Sequence, residues 1–480
     1  MRNWVMAAVV LLVLLAGTVA DSALGHVAAP LSQLASLLES VLIGFLVGTV
    51  LIAGVGAPVP RGPTQEDPAE EAAFKSFEFQ YGLIFLRTKR FQSLMDRLAS
   101  RKISKPLRWF FLFVMPVAAA IGLYIFLSEL TVFFSPVRPE VGTAIRSITP
   151  LAYLGVPGIN PYLPWFDGWI ALMVAMVLHE GAHGVVARSL GLPVKSSGLL
   201  FFLVVPIGAF VEVDEDAVKA ARARDSARML AAGAGINFVV GVVALLLLFA
   251  VVSTMTPQAN GLAVNQVAVS SPAASAGIKP GDFITQINGV GYNNSAVVSE
   301  MEVNGSFRPG QAINLTLWRE GETIRIPDVK LAGNPSNKSM AYLGIVETGS
   351  SGLRALVSSY TSSFFTRPIL YLCIPTFPQC EGVVPFSGSF SGFYTSPYGI
   401  SLVPLATLIY WLFFLNFNLA VFNSLPLYPL DGGQAFKVLV QVLGRGKLSE
   451  KMVMRICIVV ALVVLAVVFS VPVAAYLHLI

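Results

Sequence analysis

Residues 168–189 read GWIALMVAMVLHEGAHGVVARS, and this stretch decides how the chain folds. Its first eleven residues are uniformly apolar or glycine, and about 20 such residues are enough to cross a bilayer as a helix. Two histidines and a glutamate nevertheless stand inside the run. On a helix, positions i and i+4 share a face, so His179 and His183 can bind one zinc ion together while Glu180 stands beside it as general base. Ionisable groups in a span cost at least ~2.5 kcal/mol each and face a protein interior or a water-filled cavity. A merely structural His–Glu–His cluster would have to offset that cost through hydrogen bonds alone.

The rest of the chain shares the membrane character. Of 480 residues, 55% are hydrophobic and 12% charged, against roughly 25% charged in soluble domains. That excludes an ordinary soluble enzyme. Residues 3–20, 40–60, 109–128, 229–278, 382–430 and 456–480 contain no Asp, Glu, Lys or Arg. The net charge of +5 sits mainly in short loops between apolar runs, which is a topology signal and gives no reason to expect a nucleic-acid partner. With three cysteines, no disulfide framework holds the fold; Cys373 and Cys380 read equally as a small disulfide loop in an oxidising compartment or as two free thiols.

Charge places the spans. The polar stretch 59–108 carries ten Lys or Arg against six acids and marks the cytoplasmic side. Spans near 4–20 and 38–58 precede it, and the first reads as a retained helix, not a cleaved signal peptide. From there 109–134 exits, 168–189 re-enters, 229–256 exits, 398–423 re-enters and 456–477 exits. The basic loops at 190–228 and 437–455 then share one side. Residues 197–213, SGLLFFLVVPIGAFVEV, are apolar but interrupted by Pro206 and Gly208. A full span here would invert everything downstream, so a re-entrant hairpin is expected, covered by protein or lining a cavity.

The expected fold class is therefore an α-helical multi-spanning membrane protein of about seven transmembrane helices plus a re-entrant β-hairpin, with an inserted β-rich domain. Residues 1–134 supply accessory helices and the loop 59–108; 168–256 form the first half of the core. Residues 257–348 are β-rich, with short alternating runs between turns, and contain no His or Cys. Residues 349–395 are a linker at the membrane surface, and 396–480 are the second half of the core. Four sequons, at Asn293, Asn304, Asn314 and Asn337, fall in the outside segment, where chance suffices to explain them.

Zinc needs a third protein ligand and an open position. Asp431 follows the 49 uncharged residues 382–430, so it sits at the cytoplasmic end of a span, at a depth His179 and His183 can share. Its context is NSLPLYPLDGG, residues 423–433. Pro426 and Pro429 cannot continue a regular helix, while Gly432 and Gly433 permit unusual backbone angles. Together they would unwind the chain and turn the carboxylate inward, leaving Asn423 to hydrogen-bond a substrate carbonyl or an extended strand. Read by itself, Asp431 is equally a solvated residue at a kinked helix end.

HEGAHGVVARSLG, PIGAFV, AAGAGINF and NSLPLYPLDGG, in this order and with a β-rich insertion before the last, resemble the site-2 protease family of intramembrane zinc metalloproteases over residues 168–455. The resemblance implies one Zn²⁺ held by His179, His183 and Asp431, Glu180 as catalytic base, and Asn237 and Asn423 as polar positions near the site. It implies transmembrane protein substrates within the lipid bilayer; the compact chain points to a prokaryotic cell membrane, and the basic loops place the active site toward the cytoplasmic side. Ala209 stands where a second glycine is usual, and Ala234 replaces the usual proline before Asn237. SPAASAGIKPGDFITQINGV (271–290), RPGQAINLTLWREG (308–321) and YLGI (342–345) resemble a PDZ domain, expected outside the cytoplasm, which either binds a peptide at its sheet edge or filters substrates by size. The competing readings are a transporter whose path these ionisable residues line and an inactive scaffold presenting the PDZ-like domain. No inverted repeat favours transport.

Overall fold

The coordinates are a computed structural model that describes residues 77–480 apart from 81–82, 90, 154, 203–204, 292–306 and 365. The expected spans near 4–20 and 38–58, and the sequons at Asn293 and Asn304, lie outside the described residues. Among the described residues five helices are long and apolar enough to cross a membrane: Ser104–Phe134, Trp165–Ser189, Ala223–Ser253, Val403–Ser424 and Glu450–Tyr476. Three begin five or six residues ahead of the uncharged runs. Hydropathy marks only the hydrocarbon, whereas the backbone stays helical into the headgroup layer, where Arg and Lys remain solvated.

Internal contacts divide the chain into two units, one of residues up to Val243 together with Trp411–Ile480, the other Ala244–Tyr410. In the first, strands β1 (Phe77–Gln80) and β2 (Leu83–Thr88) precede helix α1 (Gln92–Ala99) and the spanning helix α2 (Ser104–Glu129). Helix α3 (Trp165–Ser189) follows and ends ahead of Gly191, whose φ of +79° only glycine adopts readily. Strands β3 (Val194–Phe202) and β4 (Val205–Val213) come next, then helix α4 (Ala223–Ser253). Met95, Phe111, Met115, Val186, Ala187 and residues 229–232 and 234 form the buried core of these elements.

The expected hairpin at 197–213 is three residues longer at its start, and it does not stand alone. It is half of an antiparallel sheet ordered β1-β2-β3-β4, so the basic stretch 59–108, read as a polar loop, contributes two strands. Phe77, Phe79, Leu83 and Ile84 alternate too weakly among charged neighbours to announce them. Arg87 on β2 reaches Glu78 on β1 and Glu212 on β4, and its guanidinium lies 5.4 and 5.5 Å from the Phe85 and Phe210 ring centroids. These contacts fasten β4 to the rest of the sheet while its other edge stays unpaired by any described strand.

In the second unit an antiparallel sheet is built from β5 (Leu262–Val267), β6 (Phe283–Ile287), β7 (Ala312–Arg319), β8 (Glu322–Lys330) and β9 (Ile345–Gly349), in the order β8-β7-β6-β5-β9. Ile313, Leu315 and Leu317 alternate inward along β7 onto Leu262, Val264 and Ile284, the period expected of a half-buried strand. Asp282 is buried against Arg319 at 2.6 and 2.7 Å. This two-bonded pairing holds the Arg319 guanidinium above its ordinary pKa. Residues 349–395, expected as a surface linker, contain helix α5 (Ser350–Ser362), and Cys373 and Cys380 are disulfide-bonded.

Helix α6 (Val403–Ser424), which enters the first unit at Trp411, breaks at 425–430 before α7 (Asp431–Leu443), and α8 (Glu450–Tyr476) follows. The break falls where Pro426 and Pro429 predict it.

Candidate metal centre

Ala171, Ala175, His179 and His183 recur every four residues and form one buried stripe of α3. Small residues on such a stripe let a second helix approach closely, and α4 turns Gly233 toward it within a stretch where Ala231, Ala232 and Ala234 are also buried. A Cβ at Gly233 would come closer to Nε2 of both histidines than the 3.0 Å that real Cβ atoms keep. Only glycine therefore leaves room beside the two imidazoles. The Nδ1 of His183 donates to the Met229 carbonyl at 2.8 Å, a bond that fixes the tautomer and leaves Nε2 with its lone pair outward.

Asp431 is the first residue of α7. Cβ atoms at Gly432 and Gly433 would strike the backbone of Ser424–Leu425 and of Leu427–Tyr428, so the two glycines allow this helix start to fold against the preceding turn. That contact carries the carboxylate to the imidazoles. Asp431 Oδ2 lies 3.0 Å from His179 Nε2 and 3.1 Å from His183 Nε2, and the three donor groups lie within 4.8 Å of one another.

The donor set fits a zinc ion. Two neutral imidazoles and one carboxylate are a three-ligand set used by catalytic zinc. Ligands about 2.0–2.1 Å from a tetrahedral ion stand about 3.3 Å apart, a few tenths beyond the separations here. The cradle at Gly233 is clear of side chain beside Nε2 of both rings.

Glu180 is half-buried, and its Oε2 accepts the Val211 backbone N–H of β4 at 3.0 Å. The carboxylate is thus positioned by the sheet as well as by its own helix. Asn237 is fully buried on α4, where its side-chain amide donates to the Ala175 carbonyl at 3.3 Å and its Oδ1 has no partner among the described residues. Asn423 is half-buried near the end of α6. Gly233, the Met229 carbonyl and the Val211 N–H are the parts that the motifs did not reveal. The small-residue run AAGAG at 231–235 was the available signal for the first; backbone groups leave none.

Residues 168–468 match peptidase family M50. Among known proteins, the chain is 26% identical to an uncharacterised protein of Methanocaldococcus jannaschii over 370 residues, 76% of this chain and 80% of that one. It is 28% identical to a Nostoc sp. protein provisionally named a zinc metalloprotease, over 58% of this chain and 85% of that one. The regulator of sigma-W protease RasP of Bacillus subtilis is 24% identical over 46% of this chain and 51% of its own length. Because the match runs through every element that surrounds the three donors, the chain belongs to peptidase family M50, the site-2 protease family.

Proposed function

We propose that the chain is a zinc-dependent intramembrane endopeptidase that hydrolyses peptide bonds in or beside the transmembrane segments of membrane-anchored proteins. One observation carries this reading: two imidazoles and a carboxylate from distant stretches converge in the first unit, on a helix apolar enough to span, with a second carboxylate adjacent. His179, His183 and Asp431 would hold the zinc ion. When bound, zinc supplies a water acidic enough to ionise near pH 7 and polarises a carbonyl. Glu180 takes the proton from the attacking water and returns it to the leaving amine, while its Val211 bond keeps the carboxylate aimed. Asn423 is available for the substrate backbone, and Asn237 braces α4 against α3.

The purified full chain should contain one zinc ion per molecule by elemental analysis and cut a single-span peptide in detergent or vesicles. Cleavage should vanish on chelation and return with added zinc. A chain that binds no zinc, or cuts equally well without it, removes the reading.

The free edge of β4 is proposed to receive the unwound substrate as an added strand. Val211 directs its N–H outward to Glu180, and by the two-residue period of a strand the Ala209 N–H points the same way. Ala209→Pro removes that donor without breaking a bond to β3. Losing one such hydrogen bond corresponds to about a tenfold fall in kcat/KM, with zinc content unchanged; undiminished turnover would discard the pairing.

By the distribution of basic residues, the metal centre faces the cytoplasm of a prokaryotic cell and the 262–349 sheet lies outside. That sheet is proposed to act as a PDZ-like module, as a peptide clamp or a size filter for substrates.

A further inference from the structure

Outside the metal centre, the first unit holds a cluster of arginines that the proposed chemistry does not use. Arg228 is only 5% exposed. Its guanidinium carbon lies 3.5 Å from the centroid of the Trp109 ring, and its Nη1 donates to Asp225 at 2.9 Å. Arg108 and Arg224 lie close enough to repel it. Arg108 gives Nη1 to the carbonyl of Ser189 at 2.9 Å, the last residue of α3. The cluster thus joins the start of α2, the end of α3 and the start of α4.

Two features of this junction call for an anion. Arg228 pairs with one carboxylate, Asp225, while Arg108 and Arg224 add two like charges within electrostatic reach of it. The Nε atoms of Arg108 and Arg228 are both buried without a hydrogen-bond partner among the described residues, and buried charged donors left unpaired are costly. An oxyanion answers both, since guanidinium donors match the geometry of phosphate oxygens. The place narrows the class further. Arg108 and Arg228 each stand immediately before an uncharged run, 109–128 and 229–278, at the edge of the hydrocarbon. Trp109, 53% exposed, is the kind of residue that lies at headgroup level, and basic pockets between spanning helices take up anionic headgroups.

We propose that Arg108, Arg224 and Arg228 form a binding site for a phosphate group, presented by an anionic phospholipid or as free phosphate. The occupied site braces the three helix ends. Its effect reaches the metal centre through Met229, the neighbour of Arg228, whose carbonyl orients His183.

The test uses the full chain in neutral detergent, supplied with phosphatidylglycerol, phosphatidylcholine or inorganic phosphate. Lipid retained per chain is read by mass spectrometry, and the thermal midpoint is followed in parallel. Phosphatidylglycerol should be retained at least about fivefold over phosphatidylcholine and should raise the midpoint. Arg108→Gln/Arg224→Gln, which keeps the buried Arg228, should bring the ratio toward parity; if that variant fails to fold, the exposed Arg224→Gln alone should lower it. Inorganic phosphate giving the same midpoint shift assigns the site to free phosphate, and no shift assigns it to the headgroup. Equal retention of both lipids by the wild type together with no response to phosphate, or an unchanged ratio in the folded variants, overturns the proposal. None of these readouts depends on peptide cleavage.

Discussion

Glu180→Gln should lower kcat by about 10²–10⁴-fold while zinc stoichiometry and thermal midpoint stay at wild-type values. The substitution is nearly isosteric, and the glutamine carbonyl can still accept the Val211 N–H that Glu180 accepts at 3.0 Å. Strand β4 therefore keeps its place, and what is lost is a group that can take a proton. Glu180→Ala makes the comparison sharper, because it also leaves the Val211 N–H without an acceptor and should lower the thermal midpoint as well as the rate. Single-turnover cleavage of a model single-span peptide, with elemental analysis on the same preparations, separates the two effects. Equal product from wild type and Glu180→Gln would refute the assignment of the base.

Gly233→Ala should weaken zinc binding by about 10–100-fold, the range seen when groups supporting a metal site are disturbed. The added methyl would lie against Nε2 of both His179 and His183, the atoms that face Asp431. Neither ring can simply swing aside: His183 is tied through Nδ1 to Met229, and both imidazoles meet the same carboxylate oxygen. Within a helix, alanine is otherwise favoured over glycine by about 0.8–1 kcal/mol. Overpacking a buried site costs about 1–3 kcal/mol, which outweighs that gain, so the metal-free variant should melt somewhat earlier than the metal-free wild type, and the zinc defect itself is read by competitive zinc titration and by turnover at limiting zinc. A wild-type zinc affinity would show that the cradle has more room than its backbone implies.

The spanning helices were legible because bilayer thickness imposes a length and an apolar composition that short windows detect. Their ends were not, since the backbone runs on past the hydrocarbon. The hairpin was visible over 197–213 through Pro206 and Gly208, but its start at Val194 and its pairing with β1 and β2 were not. Strand partners more than a hundred residues away are selected by register and by contacts such as Arg87 to Glu212, which leave no local pattern. In the same way, HEGAHG displays a possible metal grip within one helical turn, whereas the Met229 carbonyl, the Val211 N–H and the bare face of Gly233 act through backbone and through the absence of a side chain.

The amino-acid order alone determined the chemistry on offer: two imidazoles four residues apart beside a glutamate, inside a run that lipid requires to be helical. It also marked the break at Pro426–Pro429, because proline geometry acts locally. Proximity was decided only by tertiary structure. The Asp431 carboxylate stands 252 and 248 residues from its two imidazole neighbours. It reaches them because the alanine stripe of α3 admits α4 at Gly233, and because Gly432 and Gly433 let the start of α7 fold back on the turn before it. Those are close approaches between separate elements, and they exist only once the helices have packed.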